Sequence, residues 1–94
     1  MKDSLYIQVE SSSLTLNLMQ GNKKLATSTN KTKKRSDELL VVIDSFLKRN
    51  QVLLSDLAKI RIKFNSDTLT GRRVKESIVN ALGFALKIPV LIES

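Results

Sequence analysis

Apolar and polar residues alternate from the start of the chain. Tyr6 and Gln8 separate Leu5, Ile7 and Val9, and Thr15 and Asn17 separate Leu14, Leu16 and Leu18. A period of two puts every second side chain on one face of an extended strand, so strands are expected near 5–9 and 13–19. Gln20-Gly21-Asn22 reads as a hairpin turn in which the glycine supplies a positive φ. The returning strand, near 23–29, is only weakly apolar and belongs near a sheet edge. The period then changes. Ser36 is a good helix N-cap, and Asp37 and Glu38 put negative charge in the first turn, where the helix dipole favours it. A helix is expected near 37–50. Its Leu39, Leu40, Val42, Ile43, Phe46 and Leu47 cover an arc of roughly 160° at 100° per residue, with Val41 pointing the other way beside Asp37, Asp44 and Lys48. Asp44 and Lys48, four apart, suit an exposed ion pair.

Ser55-Asp56-Leu57 reads as a short turn, and Ile60, Ile62 and Phe64 then alternate with Arg61 and Lys63 in a fourth strand near 59–64. Thr70 or Gly71 opens a second helix near 71–87, and Pro89 introduces a last strand near 89–92. The second helix is the more informative one. Val74, Ile78, Val79, Ala81, Leu82, Phe84, Ala85 and Leu86 spread over roughly 220°, more than one buried stripe requires. Such a helix needs cover on two sides: the sheet, and then the first helix, a partner or both. The order of elements is a three-stranded antiparallel meander followed by helix, strand, helix and strand. This α/β order is that of a ribonuclease-H-like half, the lobe that is doubled in actin-like ATPases, and residues 1–94 hold one copy.

Composition narrows the chemistry. Neither cysteine nor histidine occurs among the 94 residues, which excludes disulfides and the usual zinc sites. No apolar run reaches membrane-spanning length and the first residues lack a signal-peptide pattern, so a cytoplasmic protein with no membrane contact is expected. The net charge of +7 is concentrated in Lys23, Lys24, Lys31, Lys33, Lys34 and Arg35, a run with no acid between its cations. That run is either a solvated loop or a contact for RNA, with Lys31, Lys33, Lys34 and Arg35 as its core. It contains no aromatic residue on which a base could stack.

The segment "NSDTLTGRRV", Asn65 to Val74, has the strand-turn-helix layout of a phosphate loop but only one glycine, with Asp67 at its tip. Backbone N–H groups approach phosphate closely where glycines permit it, and a carboxylate repels anions. Together with the helix that follows, "TGRRVKESIVNALGFALKIPVLIES" resembles the glycine-rich loop and helix of the TsaB (YeaZ) family, a subunit of the bacterial tRNA threonylcarbamoyladenosine machinery. Thr70, Gly71, Arg73, Val74, Leu82, Ala85, Leu86, Ile88 and Pro89 carry the likeness. Upstream, Ser36, Leu39, Leu40, Ile43, Asp44, Leu47, Leu54, Ser55, Asp56 and Leu57 match in the same order, and "LNLMQGNKKLA" is similar to the family hairpin. The likeness spans nearly the whole chain but only the family's first lobe. The chain departs from the family where the family has two glycines and a proline, holding Asn65, Ser66 and Asp67 instead.

The resemblance implies a non-catalytic scaffold that pairs through its two helices with a TsaD-type catalytic subunit, with no cofactor, metal or catalytic residue of its own. The helix residues Leu40, Val41, Leu47, Val79, Leu82 and Leu86 are then expected to meet the partner, or a second copy in a homodimer. Thr70, Gly71 and Arg73 form the helix entry. Two further readings stay open: a basic module contacting tRNA, and a degenerate nucleotide-binding lobe with Glu10 or Asp67 near a metal.

Overall fold

The structure is a computed structural model that describes residues 3–31 and 38–93. Its elements are β1 (Asp3–Glu10), β2 (Ser13–Gln20), β3 (Lys23–Lys31), α1 (Glu38–Arg49), a 3₁₀ turn (Leu54–Asp56), β4 (Leu57–Phe64), α2 (Leu69–Leu86) and β5 (Val90–Glu93). The strands form one sheet in the order β3-β2-β1-β4-β5. β1, β2 and β3 pair antiparallel, while β4 runs parallel to β1 and β5 parallel to β4. β3 lies at an edge, where its weak apolar character places it. The β2–β3 hairpin turns at Gly21, whose φ of +63° is costly for any residue with a Cβ.

Pairing register makes the sheet two-faced. Leu5 faces Leu18 and Ile60, Ile7 faces Leu16 and Ile62, and Val9 faces Leu14 and Phe64. All nine side chains lie on one face and are buried. Leu39, Ile43, Phe46 and Leu47 of α1 and Val79 of α2 join that same cluster, so both helices cover one face of the sheet and touch each other there. The opposite face, led by Tyr6, Gln8, Thr15 and Asn17, has no helix over it among the described residues.

Helix ends follow local chemistry. α2 begins at Leu69, ahead of the expected Thr70 or Gly71, because Thr68 is the N-cap and its Oγ1 accepts from the Gly71 N–H at 3.0 Å. It ends at Lys87, which adopts φ +57° so that the N–H groups of Lys87 and Ile88 reach back to Phe84 and Gly83. Asp44 and Lys48 pair at 3.1 Å on the exposed side of α1. The Ser36 cap and the Asp37 charge lie outside the described residues.

Candidate functional site

The sequence points to two places: the loop between β4 and α2, and the outer surface of the two helices. The loop is tied to the end of β1. The N–H groups of Asn65 and Ser66 donate to the Val9 carbonyl at 2.9 and 3.3 Å, and the Ser11 N–H donates to Ser66 Oγ at 2.8 Å. Asp67 then turns inward. Its Oδ1 accepts from the Thr68 N–H at 2.8 Å and its Oδ2 from Lys75 Nζ at 2.7 Å, with both side chains largely buried. A Cβ on residue 71 would stand 2.7 Å from Asp67 Oδ1, so Gly71 is what lets the carboxylate tuck against the helix entry.

The protein's own carboxylate therefore supplies the negative charge that the N-terminal end of α2 favours. An incoming phosphate would meet Asp67 instead of open N–H groups. The flanking arginines face other tasks. Arg72 pairs with Glu76 at 3.2 Å and lies 5.0 Å from the Phe64 ring centroid, whereas Arg73 is exposed. Glu10 is exposed at the end of β1, and no group of three or more acidic side chains suited to a metal occurs among the described residues.

The helix surface is of another kind. α2 turns Gly71, Lys75, Val79 and Gly83 fully inward, with Ile78, Leu82 and Leu86 on the flank of that face. Gly83 permits a close approach to β5: a Cβ there would lie 2.3 Å from a Val90 methyl. With small residues facing the sheet, several large ones face out. Phe84 is 88% exposed, and Val74, Ala81 and Ala85 share its side of the helix. On α1, Leu40 and Val41 are 45% and 65% exposed. A single exposed apolar residue is ordinary, whereas several on neighbouring helices mark a candidate surface.

Of the helix residues expected at a partner, Leu40 and Val41 are on this surface, while Leu82 and Leu86 are half-buried at its margin. Leu47 and Val79 are corrected: at 2% and 0% exposure they belong to the core, because α1 and α2 turn these residues onto the sheet. Thr70 and Gly71 lie in the first turn of α2, with Thr70 exposed and Gly71 buried. Lys31 is exposed at the end of β3, and Lys33, Lys34 and Arg35 lie outside the described residues. Phe84, the most exposed large apolar residue, was not singled out from the sequence. The signal lies in Gly83, since a glycine inside a helix marks a close approach, here to Val90 of β5.

No family profile and no curated protein sequence matches the chain. Solved structures do. YeaZ from Pseudomonas aeruginosa superposes with a TM-score of 0.82 at 24% identity, over 100% of this chain and 44% of that one. The fold is ribonuclease-H-like. RuvC of Thermus thermophilus matches with a TM-score of 0.61 at 12% identity over 97% of this chain and 60% of its own. A candidate N-acetylmannosamine kinase from Listeria monocytogenes matches at 0.68 and 18% over 97% and 34%. These likenesses establish the YeaZ-like, actin-like ATPase half and no more, since the chain spans less than half of the YeaZ structure. Among the described residues, no helix is long and apolar enough to cross a membrane.

Proposed function

We propose that the chain is a non-catalytic, cytoplasmic scaffold of the TsaB kind that pairs with a TsaD-type catalytic subunit in tRNA threonylcarbamoyladenosine modification. The observation that carries the reading is the outer surface of the helix layer. Phe84 at 88% exposure, with Val74, Ala81 and Ala85 on its side of α2 and with Leu40 and Val41 exposed on α1, has no cover among the described residues. An aromatic anchor among small side chains suits docking of a partner's helices, because small residues let backbones approach and the anchor fills a pocket. The YeaZ-like fold supports the choice of partner. The self-filled entry to α2, where Asp67 sits in the place of an anion, favours scaffolding over nucleotide binding.

Mixing the purified chain with a TsaD-type subunit from the same cell, and reading mass by light scattering, tests this directly. A stable complex that Phe84→Glu abolishes is the expected result. A second copy on the same surface is the competing outcome, read as a dimer of the chain alone that the subunit does not displace. A monomer that ignores the subunit would refute both.

A further inference from the structure

The open face of the sheet carries chemistry that the helix surface does not explain. Residues Tyr6, Gln8, Thr15, Asn17, Thr27, Thr29, Arg61 and Lys63 share it by register. Cross-strand hydrogen bonds fix its middle: Thr27 Oγ1 donates to Asn17 Oδ1 at 2.9 Å, Asn17 Nδ2 donates to Gln8 Oε1 at 3.2 Å, and the hydroxyls of Thr15 and Thr29 lie 3.1 Å apart. Beside this flat polar carpet the Arg61 guanidinium lies 4.5 Å from the Tyr6 ring centroid. Glu93 holds it there, through Nε to Oε1 at 3.0 Å and Nη2 to Oε2 at 3.5 Å. Hydrogen bonding to Glu93, and then its charge, raise the Arg61 pKa further above its ordinary value, so the guanidinium stays charged.

Charge surrounds this platform. Lys59 and Lys63 lie two residues to either side of Arg61 on β4, on the same face, at spacings of about 6.6 Å along the strand. Lys31 stands at the far edge opposite Ser13. No acid pairs with Lys59, Lys63 or Lys31 among the described ion pairs. Register also places Glu93, which is engaged by Arg61, and Glu10 on this face, but cations outnumber acids there. An aromatic and guanidinium platform with ammonium groups about it, on a hydroxyl-rich sheet, matches single-stranded nucleic acid. Bases stack on aromatic rings and arginine planes, lysines neutralise phosphates, and hydroxyls and amides meet base edges or sugars. Besides Tyr6, the large apolar side chains that register places on this face are Met19 and the half-exposed Leu91, fewer than a membrane or protein partner would use.

We infer that the open sheet face binds single-stranded nucleic acid, with Tyr6 and Arg61 as the base-stacking platform and Lys31, Lys59 and Lys63 as phosphate contacts. This site lies across the sheet from the helix surface, so it stands or falls independently of the partner proposed above. Of the basic run it uses Lys31, while Lys33, Lys34 and Arg35 lie outside the described residues.

The test is fluorescence anisotropy of the 94-residue chain with labelled twelve-nucleotide uridine RNA and thymidine DNA, from about 50 to 200 mM salt. Binding to at least one strand is expected. The exposed-side double variant Lys59→Gln/Lys63→Gln should weaken it at least tenfold and reduce the slope of log affinity against log salt by about 1.4, two contacts at about 0.7 each. Tyr6→Leu, which keeps an apolar strand residue, should weaken oligonucleotide binding about fivefold or more while leaving binding of inorganic polyphosphate unchanged. Absence of binding at the lowest salt would overturn the inference. So would full affinity in the double variant, or loss caused only by Lys33→Gln/Lys34→Gln/Arg35→Gln, since either assigns the contact elsewhere. Equal effects of Tyr6→Leu on polyphosphate and RNA would remove the stacking platform. Circular dichroism of each variant confirms that the sheet is retained.

Discussion

Asp67 and Lys75 form the most consequential pair of side chains at the entry to α2. Both are largely buried, and their 2.7 Å contact joins the loop to the second turn of the helix. Removing one partner leaves the other charge without compensation in a poorly hydrated place. Asp67→Ala is therefore expected to cost about 3 kcal/mol in urea unfolding, whereas Asp67→Ala/Lys75→Met should recover most of that loss. Equal stability of the single variant and the parent would show that the pair is solvated after all. Half of this site is legible in the sequence. The carboxylate at the loop tip was legible as hostile to phosphate, but its ammonium partner was not, because a lysine eight residues on in an amphipathic helix reads as solvent-facing. Thr70-Gly71 suits a helix entry as well as Thr68 does in the sequence, whereas in the fold Thr68 is the cap, and Thr68→Ala should cost about 1 kcal/mol.

At the scale of elements, the periods were legible and the helix phase was not. Alternation at Leu5, Ile7 and Val9, at Leu14, Leu16 and Leu18, and at Ile60, Ile62 and Phe64 identifies the strands because half-buried sheets impose a period of two. The wide apolar arc of α2 identifies a helix with too much apolar surface for one contact, but an arc of that width has no obvious centre. Packing supplies the centre through glycine. Gly83 closes on Val90, which turns Val79 inward and leaves Phe84 outside. Gly83→Ala should cost about 1–3 kcal/mol by overpacking, or shift β5 outward; an unchanged Tm would mean Val90 yields freely. The corrected phase also separates core from surface by mutation. Leu47→Glu and Val79→Glu should abolish cooperative unfolding, because each buries an unpaired charge. Phe84→Glu and Val41→Glu should stay within about 0.5 kcal/mol of the parent, and sizeable losses there would place these residues in the core instead.

For the molecule as a whole, the order of elements was sufficient to read the ribonuclease-H-like half, since a meander followed by two crossover units permits few sheet orders. What the sequence did not reveal is the division of labour between surfaces. Both helices occupy one face of the sheet, leaving an apolar outer surface on that side and a polar, basic face on the other. That arrangement follows from right-handed crossovers once the strand order is known, because β3 to β4 and β4 to β5 step the same way across the sheet and so put α1 and α2 on one face. A lobe of this form has two independent surfaces to offer, and the helix side carries the central claim. The most direct measurement is calorimetric titration of a TsaD-type subunit with the parent chain and with Phe84→Glu. The account predicts a saturable complex for the parent and at least a hundredfold weaker binding for the variant, at unchanged stability. Equal binding by both, or no heat with either while the chain stays monomeric, would contradict it.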